Sequence, residues 1–173
     1  MHKSLEEYLL NNDIKFTKTE KKWFNSNAYF PLVTFEIHQE NNNALIKHTL
    51  VFKESEFSKP NFINSSDNLT SRITVQSKII LKDSKIENFK IEHTNYFKKI
   101  FQKDVNYKVA TNDKILEKKL LENDSVQSFF KMFNDDPEFD PIITGKKESD
   151  NFKVEINFMC RNFDENYISL FNV

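Results

Sequence analysis

The chain has 173 residues, 25 basic and 26 acidic side chains for a formal net charge of −1, and 18 phenylalanines within a 38% hydrophobic content. That length fits one domain with a sizeable core, the aromatic content argues against disorder, and the balanced charge removes any global electrostatic case for nucleic acid or an anionic membrane. A single glycine, Gly145, excludes glycine-rich phosphate loops, dinucleotide fingerprints and nucleophile elbows, which need glycine for tight turns and close backbone approach.

Ser4 is placed to cap a short helix over 5–11, with Leu5, Tyr8 and Leu9 on one side. KFTKTEKKWFNSNAYF has poor periodicity and reads as a short strand and a loop. FPLVTFEIHQ and ALIKHTLVFK then alternate strictly around Asn41-Asn42-Asn43, the pattern of a hairpin. Segment 54–70 reads as a long polar loop. SRITVQSKIILK alternates at Ile73, Val75, Ile79 and Leu81, and NFKIEH at Phe89, Ile91 and His93. The Asp83-Ser84 link between them suggests a second hairpin.

HTNYFKKIFQK switches to helical spacing over 95–103, and VNYKV, 105–109, reads as a short strand. Asn112 or Asp113 can cap a helix over 113–122, and Asp124 or Ser125 a further one carrying Val126, Phe129, Phe130 and Phe133. IITG, 142–145, and NFKVEINFMCR, 151–161, form a third strand pair. Phe163, Tyr167, Leu170 and Phe171 recur as on a C-terminal helix. Asparagine is expected to take the turn positions that glycine usually fills. The expected fold is α+β: one domain over 1–173, with a largely antiparallel sheet built from hairpins and four or five short helices packed against it.

Cys160, alone, forms no internal disulfide, and on an alternating strand it reads as a small buried residue. Charges interrupt MHKSLEEYLL where a signal peptide needs an apolar core, and no run approaches the roughly 18 apolar residues of a membrane span. The chain therefore reads as soluble and cytoplasmic. Its wealth of Lys, Asn, Ile and Phe, whose codons are AT-rich, suggests a low-GC bacterial source.

Chemistry is sparse. The stretch SVQSFFKMFNDDPEFDPIITG runs from an aromatic knot into Asp135, Asp136, Glu138 and Asp140. A calcium loop started at Asn134 or Asp136 puts Phe139 or Pro141 where glycine belongs and Gly145 or Lys147 where glutamate belongs, so both frames fail. The prolines stop a helix. Beyond that, Asp135, Asp136, Glu138, Phe139 and Asp140 form a candidate contact surface for a protein with a basic surface, with Phe139 as its apolar anchor. His48 shares an apolar strand face with Ile46 and Leu50, and His93 with Phe89 and Ile91. Neighbouring strands would let the two histidines meet as a ligand site, helped by Glu92 or Tyr107. No metal-ligand spacing is present. The lysines around Trp23 and Tyr96 read as solvated faces rather than a stacking groove for nucleic acid.

Two functional classes follow. One is a non-enzymatic, intracellular protein-binding domain, such as an immunity-type or inhibitor protein that occludes a partner through the acidic loop. It would need no cofactor, no metal, no nucleic acid and no membrane. The other is a small-ligand-binding protein or enzyme using the histidine-bearing sheet face.

Overall fold

The computed structural model describes residues 2–25, 28–41, 43–56, 69–82, 84–94, 107–131 and 139–160. Eight strands form one sheet: β1 (Phe16–Asn25), β2 (Ala28–Asn41), β3 (Ala44–Glu56), β4 (Leu69–Lys82), β5 (Phe89–His93), β6 (Tyr107–Thr111), β7 (Ile142–Glu148) and β8 (Asn151–Cys160). Their spatial order is β1-β2-β3-β4-β8-β7-β5-β6, and every neighbouring pair is antiparallel. Three helices occur among the described residues, where four or five were expected: α1 (His2–Asn11), α2 (Lys114–Leu121) and α3 (Asp124–Lys131). The expected helices over 95–103 and 163–171 fall outside the described residues.

The first four strands form a meander. β1 is longer than its irregular sequence suggests, because it is paired along its whole length with β2, from Phe16 opposite Ile37 to Asn25 opposite Ala28. It is an edge strand, and its lysines suit that position, since charged side chains keep an open edge from pairing with other chains. The hairpin expected between 71–82 and 88–93 does not form. β4 pairs instead with β8, and β5 lies between β6 and β7. The β7–β8 hairpin is thereby inserted at the centre of the sheet. It closes through the two-residue turn Ser149-Asp150, with Ser149 at φ 53°.

Period-two alternation gives each strand one apolar side. A single row runs across all eight strands: Phe16, Ile37, His48, Ser77, Ile156, Ile143, Ile91 and Val109. The core lies on this inner face, with Phe35, Leu50, Ile73, Val75, Phe152, Phe158 and Cys160 all buried. The outer face carries ion pairs such as Lys47–Glu36 and Lys153–Glu155.

α1 buries Leu5 and Leu9 and is tied to β1 by Lys18–Glu6 at 2.8 Å. Ser4 lies inside this helix, which starts at His2, so it is not the cap. The helix ends in a Schellman turn: Ile14 N donates to Leu9 O at 2.9 Å and Asp13 N to Leu10 O at 3.3 Å. Asp13 takes the left-handed position, φ 54°. Among the described residues, aspartate and serine, not asparagine, hold the positive-φ positions. Asp113 caps α2 by accepting from Ile115 N and Leu116 N. Asn123, one residue before the expected cap, accepts from Val126 N at the start of α3.

Gly145 does not use its conformational freedom, since its φ is not positive. It is needed for space: a Cβ there would come within 2.3 Å of Phe89 Cε1 and 2.7 Å of Phe152 Cζ. Gly145→Ala is expected to destabilise the fold by roughly 1–3 kcal/mol, the usual cost of overpacking, read as a lower urea midpoint. Phe89→Ala in the same chain should recover part of that loss.

Candidate functional site

Two polar side chains interrupt the apolar face. His48 lies in β3 and Ser77 in β4, directly opposite each other, and His48 Nδ1 is 2.7 Å from Ser77 Oγ. Among the described residues they are the buried polar side chains, at 4% and 7% exposure. Burying a polar group is costly unless it is hydrogen-bonded, and the pairing offsets part of that cost.

The pair lines a cavity of about 440 Å³ between the inner face and α3. Its floor steps along the strands from Ala44 and Leu81, through Ile46 and Ile79, to His48, Ser77 and Ile156, and on to Val75 and Phe158. Ser125, Val126 and Phe129 of α3 form the roof. The volume falls within the roughly 300–1,000 Å³ of small-molecule sites, as does the chemistry of an apolar wall with a few polar groups.

The Val75–Phe158 end is closed: Phe129 packs edge-on against Phe158 and Phe139, each at 5.5 Å. At the other end Ile79 and Leu81 are half-buried, and Ser125 on the roof is exposed. Ala44 and Ile46 at the same end are buried, so among the described residues the mouth lies on the β4 side, towards Leu81 and Ser125, and the polar pair sits further in.

Burial pushes the His48 pKa down from its ordinary 6.5 to about 4, because a protonated imidazole loses its hydration there. At neutral pH the ring is uncharged, with one nitrogen a donor and the other an acceptor. A serine beside a histidine also resembles a nucleophile with its base. However, an acyl-transfer site needs backbone donors aimed at a developing oxyanion. Ser77 sits mid-strand between β3 and β8, where the neighbouring amides are committed to the ladders. The arrangement suits binding.

His48 and His93 do not meet. Three strands, β4, β8 and β7, separate theirs, a distance of about 19 Å at the usual strand spacing. His93 is instead packed edge-on against Phe130 at 5.1 Å and Phe139 at 5.8 Å, with Asp140 Oδ1 3.6 Å from its Nδ1. Tyr107, opposite His93 in β6, stacks on Phe130, and its hydroxyl donates to Leu120 O and Leu121 O at the end of α2. Glu92 projects to the outer face, where it pairs with Lys90 and Lys108.

Of the acidic run, Asp135, Asp136 and Glu138 lie outside the described residues. Asp140 is exposed. Phe139 is 4% exposed and belongs to the core. Cys160 is buried, as its strand pattern implied. Trp23 lies under the Lys53 ammonium, 3.7 Å from the ring centroid. Among the described residues no helix is long and apolar enough to cross a membrane.

Comparison with family models, curated proteins and solved structures gives no match to this chain.

Ser77 is the site residue that the sequence reading passes over. The series Ile73, Val75, Ile79 and Leu81 skips one position, and the residue there is this serine.

The His48 pKa is lower folded than unfolded, so the unfolded chain binds more protons between the two values. The stability this group contributes is complete above about pH 6.5 and is lost as pH falls towards 4. A shift from 6.5 to about 4 corresponds to roughly 3 kcal/mol. Urea unfolding of wild type should show this acid loss, and His48→Leu should remove that part of the slope.

Proposed function

We propose that this protein binds a small apolar molecule in the cavity between its sheet and α3. The observation that carries this reading is the buried His48–Ser77 pair set in the apolar floor of a cavity of about 440 Å³. A face meant only for packing is best filled with apolar side chains, because a buried polar pair adds less stability than well-packed hydrocarbon. Keeping two hydrogen-bonding groups at the inner end of an apolar channel suits recognition of a ligand.

The acidic-loop reading has less support. Its aromatic member, Phe139, is part of the core. A role as an immunity-type or inhibitor protein therefore has no observation in its favour to match the cavity.

The test is fluorescence titration with N-phenyl-1-naphthylamine, an uncharged probe that brightens in apolar surroundings. Saturable one-to-one binding to wild type is expected. Val126→Trp, which puts an indole into the cavity from α3, should weaken it at least about tenfold, a loss of about 1.4 kcal/mol, with the melting temperature unchanged. Absence of saturable binding, or equal binding by the variant, would overturn the proposal.

A further inference from the structure

Resting on that reading, we infer that the ligand is an uncharged, elongated molecule with a single hydroxyl or carbonyl group at its buried end. It enters polar end first, to hydrogen-bond with His48 and Ser77, and leaves its apolar body along the channel towards the mouth.

The direction follows from where the lining residues sit. Four successive inward positions of β4, Leu81 to Val75, and the three of β3 from Ala44 to His48 line the floor. Inward positions repeat every two residues, about 6.8 Å, so the floor is roughly 20 Å long. His48 and Ser77 occupy the third step from the mouth, next to the wall made by Phe129 and Phe158. Between them and the mouth the floor offers Ile46, Ile79, Ala44 and Leu81. A polar group carried at the mouth end of a ligand would meet no buried polar partner among these residues, whereas one at the inner end would meet two.

The lack of charge follows from the wall chemistry. Among the described lining residues none bears a fixed charge, and His48 is the one that titrates. An ionised carboxylate at the inner end would lose its hydration with no lysine or arginine among the described lining residues to replace it. Protonating His48 to supply a cation runs against its burial. An ammonium would fare no better, because the described lining residues include no carboxylate. A hydroxyl both donates and accepts, so it suits either arrangement of the proton between Nδ1 and Oγ. A carbonyl suits the one in which a donor faces the cavity.

The experiment displaces N-phenyl-1-naphthylamine from the wild-type protein at pH 7.5 with three competitors of similar length: 1-decanol, decanoate and 1-chlorodecane. The alcohol should displace the probe about tenfold better than the chloride, as one buried hydrogen bond allows, and better still than the carboxylate. Ser77→Ala, with its own probe affinity measured first and each competitor scaled to it, should lose the preference for alcohol over chloride. Decanoate matching or exceeding decanol would overturn the inference in favour of an anionic ligand. Equal displacement by alcohol and chloride, or a preference that survives in Ser77→Ala, would show that the polar pair does not read the ligand. In each of those cases the probe still binds, so the cavity reading stands. Failure of the probe itself to bind wild type would sink both.

Discussion

The pairing of β8 with β4 is the constraint on which the rest of this structure depends. In the order β1-β2-β3-β4-β8-β7-β5-β6, four strands lie on one side of that seam and four on the other. Ten residue pairs, from Ile73–Cys160 to Lys82–Asn151, join them. β4 is thereby a central strand, with its inner face buried and its backbone hydrogen-bonded on both sides. The seam sets Ser77, already opposite His48 in the β3–β4 ladder, beside Ile156, and it brings the aromatic side of α3 over β8 through Phe129 and Phe158. Without it the floor of the cavity and its roof would belong to separate halves of the chain.

The aromatic residues divide into two tasks. Phe130, Tyr107, His93 and Phe139 lock α3 and the strand ends β5 and β6 together through ring contacts of 4.6–5.8 Å. Their tight packing resembles that of any protein interior. Phe129 and Phe158 sit at the boundary of that cluster and face the cavity as well. Phe139 touches both, at 5.5 Å from each. The root of the acidic segment is therefore coupled by direct packing to the closed end of the cavity.

Charge is used on this protein chiefly where it protects or fastens. Lys18 joins β1 to α1 through Glu6, and Lys108 and Lys90 flank Glu92 across the β5–β6 ladder. Such exposed pairs are worth little stability each, but on an edge strand they also discourage further strand pairing. The inner face is left almost free of charge. That contrast is why a single uncharged histidine–serine pair on it stands out.

Much of the local structure was determined by the sequence alone. Strict alternation in 30–39, 44–53 and 151–160 makes strands with one apolar face, because successive side chains point to opposite sides. Asp113 before an apolar-periodic run makes a helix start. The same patterning put His48 on an inner face and Cys160 in the core. What the sequence could not determine was which strands become neighbours, since hydrophobic period gives each strand a face and not a partner. The short link at Asp83-Ser84 made β4 and β5 look adjacent, yet the burial available at the sheet centre went to the later β7–β8 hairpin. That choice separated His48 from His93. Ser77 comes opposite His48 across a twelve-residue connection between β3 and β4, which fixes no register by itself. Register is a property of two strands, and only the folded sheet joins them.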